Sequence, residues 1–208
     1  MFTSQEEIDQ WECTFDALNN DNSSLRPGDV KYKDLNGDGV INWRDQKEIG
    51  KGAQPHWTFG LNLNLQYRNF DLSALFQGAF DYTTDVRLDA ASTSFNYKNY
   101  WHETRNNSAN AYLPRPAGSS TNSFYSDYHN HNTSYMRLKN LSVGYELPAS
   151  LLAKVGVSRL RLYLAGTNLF TLSNLNKYSV DPEMPEKYGA GVYYPQQFTM
   201  SFGCNLTF

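Results

Sequence analysis

Gln197-Phe198-Thr199-Met200-Ser201-Phe202-Gly203-Cys204-Asn205-Leu206-Thr207-Phe208 closes the chain, and its reading decides the fold. Phe198, Met200, Phe202, Cys204, Leu206 and Phe208 share one side of an extended strand; Gln197, Thr199, Ser201, Gly203, Asn205 and Thr207 share the other. Successive side chains of a strand point to opposite faces, so this alternation is a strand with one apolar face. The same period returns in Thr58–Tyr67, where Phe59, Leu61, Leu63, Leu65 and Tyr67 oppose Thr58, Gly60, Asn62, Asn64 and Gln66. After a turn at Arg68-Asn69 it continues through Phe70, Leu72, Ala74, Phe76, Gly78 and Phe80. A fourth run, Tyr135–Leu147, alternates over Leu141, Val143, Tyr145 and Leu147 and is less regular towards Met136. A fifth, Arg159–Leu172, sets Leu160, Leu162 and Leu164 against Arg159, Arg161 and Tyr163. The class is all-β, with about five antiparallel strands.

Composition limits what such strands can serve. The 208 residues carry 18 Lys+Arg against 21 Asp+Glu, a net charge of -3, with a mean hydropathy of -0.62. No stretch approaches the roughly 18–20 apolar residues of a membrane helix, and no basic patch suits a nucleic acid. Cys13 and Cys204 are too few for a disulfide scaffold. The start, Met1-Phe2-Thr3-Ser4-Gln5-Glu6-Glu7, is acidic where a signal peptide would be basic. A polar mean does not speak against a β-barrel, whose strands give every second residue to water, and an aromatic content of 15% suits interfacial girdles.

Two architectures meet the periodicity, an antiparallel sandwich and a transmembrane barrel. The strands are about ten residues long, the length at which a tilted strand crosses a bilayer. Short connections (Arg68-Asn69 and Pro148–Ser158) alternate with long ones (Asp81 to about Thr133, and Ser173–Gln196). A membrane barrel sorts its connections in this way, with short periplasmic turns and long external loops, whereas a sandwich has no reason to. The last residues also resemble the assembly signal of outer-membrane barrels, through polar Ser201, Gly203, apolar Leu206 and terminal aromatic Phe208. Counted back from a periplasmic C-terminus, the strands place residues before Thr58 outside the cell. Five strands cannot close a barrel, of which the smallest have about eight. The expected organisation is therefore an extracellular segment, residues 1–56, followed by barrel strands and loops, residues 57–208, as the C-terminal piece of a larger barrel.

One local motif points to an ion. In Asp34-Leu35-Asn36-Gly37-Asp38-Gly39-Val40-Ile41-Asn42-Trp43-Arg44-Asp45, oxygen ligands fall at loop positions 1, 3 and 5 (Asp34, Asn36, Asp38). Gly39 stands at the sharp turn, Val40 offers its carbonyl, and Asn42 acts directly or through water. Asp45 replaces the usual glutamate at position 12, and its shorter side chain weakens bidentate binding. The expected ligand is a structural calcium ion. Upstream, Ser4 and Glu7 form a capping box for a short helix from Glu6 to about Phe15.

Other groups read as structural. His129 and His131 fit a solvated loop, for want of a third metal ligand, and His56 and His102 fit strand ends or loops. Cys204 reads as a small hydrophobe between Phe202 and Leu206. Phe59, Tyr67, Phe70, Phe80, Tyr145 and Phe198 fit an interfacial girdle. No nucleophile motif or phosphate-binding glycine loop is present, so an enzyme is not expected.

As a set, several motifs resemble the SusC/RagA-like TonB-dependent outer-membrane transporters. They are Ser4-Gln5-Glu6-Glu7-Ile8-Asp9, Pro27-Gly28-Asp29-Val30-Lys31-Tyr32-Lys33 running into the ion loop, Phe70-Asp71-Leu72-Ser73 and Phe76-Gln77-Gly78. Leu113-Pro114-Arg115, Tyr135-Met136-Arg137-Leu138-Lys139-Asn140-Leu141, Asn168-Leu169-Phe170-Thr171, Asp181-Pro182-Glu183 and the C-terminal strand complete the series. The resemblance implies a multi-pass barrel of about 22 strands in the cell outer membrane, with an N-terminal plug energised through TonB. It further implies insertion by the barrel-assembly machinery, a SusD-like surface lipoprotein as partner, and import of a glycan or peptide. Two other readings fit the residues: a soluble calcium-stabilised carbohydrate-binding sandwich, and a siderophore- or cobalamin-type TonB-dependent receptor.

Overall fold

A computed structural model describes residues 1–85, 100–105, 107, 111, 113–116, 119–153, 156–178, 180–183 and 196–208. The chain forms two compact units. One draws on Met1–Gly50 and Thr84–His131, the other on Lys51–Thr83, Asn132–Met184 and Tyr194–Phe208. The first 56 residues therefore do not stand alone: most of them pack with a segment from the long connection after Phe80.

In the first unit, helix α1 (Gln5–Asp9) starts at Ser4, whose Oγ accepts from the Glu7 amide at 3.2 Å. Glu7 turns its carboxylate to the Thr3 amide (2.8 Å) and hydroxyl (3.0 Å), so the cap is built from Thr3 and Ser4 together. Burial pushes the Glu7 carboxyl up, but hydrogen bonds from Lys31 and Thr3 outweigh it and bring it down to about 2. The helix is shorter than the sequence suggests. The chain beyond it is drawn into strand β1 (Thr14–Phe15), which pairs in parallel with β2 (Val40–Ile41) and sinks Phe15 out of water. Phe2, Ile8, Phe15, Leu25 and Ile41 form a core, with Trp11, Cys13, Leu18 and Tyr32 packed against it. Each such side chain contributes roughly 1.5–3 kcal/mol on burial, which outweighs the helix propensity of a few residues.

The second unit is built on one antiparallel sheet. Its strands are β3 (Trp57–Tyr67), β4 (Phe70–Phe80), β7 (Tyr135–Glu146), β8 (Arg159–Ser173) and β9 (Thr199–Thr207), in the order β3-β4-β7-β8-β9. Short strands β5 (Thr83–Asp85) and β6 (Asn130–Asn132) lie in the chain between β4 and β7, and a helical turn α2 (Ala149–Leu152) joins β7 to β8. These five strands are the five read from alternation, within a residue or two at each end. No helix among the described residues is long and apolar enough to cross a membrane, which says nothing of crossing by strands.

Register sorts the two faces. Leu61 pairs with Phe76, Phe76 with Leu138, and Leu138 with Phe170. Leu72, Val143, Leu164 and Phe202 make a second row across four strands. One face is thus aliphatic and aromatic on every strand, and it is largely uncovered: Leu65 is 63% exposed, Leu164 53% and Phe202 71%. Rings mark both ends of this band. Phe59 stacks on Phe80 at 5.5 Å at one end, and Phe70 lies 4.6 Å from Tyr145 at the other. Eleven residues of β3 extend roughly 33 Å along the strand, or about 25 Å in height at a barrel tilt.

The irregularity near Met136 is a β-bulge. Leu75 pairs with Asn140 but Phe76 pairs with Leu138, so Lys139 is an extra residue against β4. The β7–β8 register shifts at the same place with the extra residue on β8, where Asn168 and Leu169 face Lys139 and Asn168 sits in the left-handed region at φ 51°. A bulge adds one residue without a partner and lets the alternation resume on either side. Without it Tyr135 and Arg137 would turn onto the apolar face.

The opposite face carries Asn, Gln, Ser, Thr and paired charges. Arg161 grips Asp71 through Nε (2.8 Å) and Nη2 (2.5 Å), passing over β7 at Gly144. A Cβ on Gly144 would stand 2.4 Å from Asp71 Oδ1 and 2.5 Å from Arg161 Nε. Gly144→Ala should therefore cost the assembled protein about 1–3 kcal/mol, read as a lower thermal unfolding midpoint. An unchanged midpoint would show that the ion pair moves aside freely.

Candidate functional site

The Asp34–Asp45 loop folds around its own side chains. Asp34 Oδ1 accepts from the amides of Asn36 (3.1 Å) and Gly37 (2.6 Å), and Oδ2 from Gly39 (2.8 Å). Asn36 and Asp38 each accept from the amide two residues on, at 2.8 and 2.9 Å. Gly37 and Gly39 sit at φ 79° and 80°, where a side chain would strain the backbone. Asn42 caps a short turn, Trp43–Asp45, by accepting from Arg44 N (2.8 Å), while Asp45 binds the amides of Leu35 (2.9 Å) and Asn42 (2.8 Å). Those two amides hold the Asp45 carboxyl below its ordinary range. The Val40 carbonyl accepts from Asn42 Nδ2 at 3.1 Å. Among the described residues no three His, Cys, Asp or Glu side chains are gathered as a metal cluster. Asp34, Asn36, Asp38, Val40, Asn42 and Asp45 thus lie in one Asx-turn loop whose oxygens are engaged by amides yet keep further acceptor capacity.

Two pairs of distant motifs meet as charge clasps. In the first unit, Asp29 is fully buried and accepts from Arg115 Nε (2.8 Å), Arg115 Nη2 (3.2 Å), Asn122 Nδ2 (2.8 Å), Arg26 N (2.9 Å) and Ser119 N (3.1 Å). The Arg115 amide donates to the Gly28 carbonyl at 3.0 Å. Gly28, at φ 91°, lies beneath Trp101, whose ring a Cβ would meet at 2.4 Å. Pro27-Gly28-Asp29 and Leu113-Pro114-Arg115 are therefore two halves of one buried ion pair.

In the second unit, Arg137 is 2% exposed. Its Nη2 reaches Asp181 Oδ1 at 2.8 Å and its Nε donates to Thr171 Oγ1 at 2.7 Å. Nη1 lies 3.2 Å from Glu183 Oε2, an ionic contact without hydrogen-bond geometry. Lys139, the bulge residue, binds the same Glu183 oxygen at 2.8 Å. Burial pushes the Asp181 carboxyl up, but the Glu183 amide, Arg137 and the Gln196 amide outweigh it and hold it below its ordinary value. The bulge brings a second cation to the side of Arg137, and together they hold Asp181-Pro182-Glu183.

Ser201, Gly203, Leu206 and Phe208, the residues read from the sequence as an assembly signal, lie in or beside β9, an edge of the sheet. Ser201 pairs with Ala165, Gly203 with Tyr163 and Leu206 with Leu160, while Phe208 follows the strand and is 84% exposed. Gly203 lies under the Tyr163 ring, which a Cβ would meet at 2.5 Å. Cys204 faces out on the apolar side and Cys13 is half-buried, both as free thiols. His129, expected in solvent, is buried and bonds the Asn122 carbonyl through Nε2 at 2.7 Å. His56, expected at a strand end, precedes β3 and meets Asp81 at 2.9 Å. Much of the segment between Asp81 and Thr133 lies outside the described residues.

Removing one partner of a buried ion pair strands the other. Asp29→Ala should destabilise the first unit by about 3–5 kcal/mol, detected as rapid proteolysis within residues 1–50. Wild-type resistance would mean that Arg115 is rehydrated at no cost.

No family model matches the chain. TonB-dependent receptor P3 of Formosa agariphila is 34% identical over 200 residues, 88% of this chain and 19% of that protein. TonB-dependent receptor SusC of Bacteroides thetaiotaomicron is 29% identical over 192 residues, 88% of this chain and 18% of that protein. The chain spans about a fifth of the length of these curated relatives. Its fold matches the RagAB peptide importer in the closed-closed state with a TM-score of 0.60, at 23% identity over 84% of this chain and 20% of that one. The sequence relatives and the fold agree, and the chain belongs to the SusC/RagA-like TonB-dependent receptors, matching a C-terminal portion of their barrel.

Proposed function

We propose that these residues form part of the barrel wall and external surface of an outer-membrane importer that takes up an oligosaccharide or a peptide. The observation that carries this reading is the uncovered apolar face of the sheet, bounded by rings at both ends and backed by a polar face. In hydrocarbon every backbone group must find an internal partner, so β3 and β9 call for neighbouring strands on their open edges. The remainder of the barrel and its plug supply those strands and the coupling to TonB. The polar face then lines an aqueous path, and the long connections meet a SusD-like lipoprotein at the external end. Ser201, Gly203, Leu206 and Phe208 address the chain to the barrel-assembly machinery.

Uptake of substrate by cells carrying the whole receptor should stop when TonB is deleted and resume on complementation. Uptake that persists without TonB would sink the reading.

The Asp34–Asp45 loop is proposed to hold one structural calcium ion. Asp34, Asn36, Asp38, the Val40 carbonyl, Asn42 and Asp45 supply hard oxygen donors in the order such a loop needs. Titration calorimetry should show one calcium site per chain, lost in Asp34→Ala. Absence of binding at millimolar calcium would leave the loop as a turn held by its amides.

A further inference from the structure

The apolar band of the sheet ends differently at its two rims. At the rim of the long connections, the basic groups near the Phe59–Phe80 rings are spent, because Lys51 and His56 both bind Asp81. At the rim of the short turns, Arg68 keeps its charge unspent. Its guanidinium carbon lies 5.3 Å from the ring centre of Tyr67. Among the described residues no carboxylate pairs with it, while its neighbours Arg159 and Arg161 are both paired.

The backbone does not favour an arginine there. Tyr67 pairs with Phe70, so Arg68-Asn69 is a two-residue hairpin turn, and Arg68 sits at φ 52°. That region suits glycine or asparagine, and a long side chain in it costs stability. The next residue, Asn69, pins the turn to β7: its Nδ2 donates to the Glu146 carbonyl at 2.7 Å, and its carbonyl accepts from the Glu146 amide at 2.8 Å. The turn is thus held through Asn69, and its geometry gives the Arg68 side chain no task.

Charge and surroundings define what that side chain can meet. A hollow of about 480 Å³ opens between this turn and α2, and its charged lining is Arg68, Arg159 and Arg161 against Asp71 and Glu146. Arg161 takes Asp71 at 2.5 Å and Arg159 takes Glu146 at 2.6 Å, which leaves Arg68 as a surplus of one positive charge. The ring under its guanidinium is 69% exposed and Phe70 55%, both on the apolar face. A planar guanidinium grips a phosphate through two parallel N–H bonds. Tyrosine rings settle at the headgroup level of a bilayer, with apolar side chains among the acyl chains beyond them. A singly charged phosphodiester that carries acyl chains satisfies the cation and the rings together, which a protein carboxylate does not.

We propose that Arg68, on the ring of Tyr67, holds the phosphodiester of a glycerophospholipid in the leaflet at the short-turn rim. The assignment rests on the reading of the sheet as a barrel wall and adds to that wall a fixed lipid site.

The test uses the whole receptor in dodecyl maltoside micelles. It is titrated with phosphatidylglycerol, phosphatidylethanolamine, a galactosyl diacylglycerol of the same chains, or glycerol 3-phosphate, and binding is read as a rise in the unfolding midpoint. Both phospholipids should raise the wild-type midpoint; the galactolipid and glycerol 3-phosphate should not. Arg68→Gly should weaken the apparent affinity for phospholipid by about tenfold or more. In plain micelles its midpoint should equal or exceed that of the wild type, because glycine accepts φ 52°. Arg44→Gln, which removes another exposed guanidinium from over a ring, Trp43 at 5.4 Å, should respond as the wild type does. No response to phospholipid, an equal response to galactolipid or glycerol 3-phosphate, or an Arg68→Gly response equal to the wild type's overturns the proposal. So does a lower Arg68→Gly midpoint in plain micelles, which would assign the guanidinium to a carboxylate elsewhere in the receptor. Quenching of indole emission by brominated acyl chains, compared between wild type and Trp57→Phe, reports lipid on the apolar face separately. Trp57-dependent quenching with phospholipid binding indifferent to Arg68 would keep the wall and sink the site; phospholipid binding through Arg68 without that quenching would do the reverse.

Discussion

A backbone cannot enter hydrocarbon with open hydrogen bonds, and this constraint organises the sheet. Strands are admissible only if every amide has a lateral partner and every second side chain tolerates lipid. Both conditions act on the same alternation, so pairing register and hydropathy must agree across all neighbours at once. Leu72, Val143, Leu164 and Phe202 satisfy that agreement along one row. A slip of one residue on any strand would bring Asp71, Arg161 or Asn205 to the outer face.

What lies off the sheet obeys a different economy. The connections are long and polar, so ordering them takes specific anchors. The two clasps supply these at large sequence separations, Asp29 with Arg115 and Arg137 with Asp181. Each acidic group is held by several donors, the condition under which a buried charge is tolerated. The Asp34–Asp45 loop follows the same logic at short range, with Asx turns standing in for a core. Such anchoring keeps external residues in place without a large hydrophobic interior, and it leaves aromatic side chains such as Trp43 free to face outward.

The strands were legible because their signal is local: a period of two needs only neighbouring residues. Even the imperfection near Met136 was visible as broken alternation, although its cause, a bulge at Lys139, depends on pairing with β4 and β8. The spacing of oxygen side chains over Asp34–Asp45 is local in the same way, and the structure folds it as a run of Asx turns. The clasps were not legible. Pro27-Gly28-Asp29 and Leu113-Pro114-Arg115 stood out as motifs, but one sequence cannot say that they touch. Helix α1 was overestimated because Phe15 is claimed by the core, and His129 was placed in solvent because its polarity suggests water when its partner, the Asn122 carbonyl, is not evident.

The bulge at Lys139 also bears on how such a strand can change length over generations. Within Leu141–Tyr145, loss of one residue would turn over every side chain on one side of the gap. Loss of Lys139 would keep that alternation along β7 and restore even pairing with β4, but it would leave both Asn168 and Leu169 of β8 without a counterpart. That position is thus a joint between strands of unequal length, and the lysine stationed there ties the step in register to the hold on Glu183.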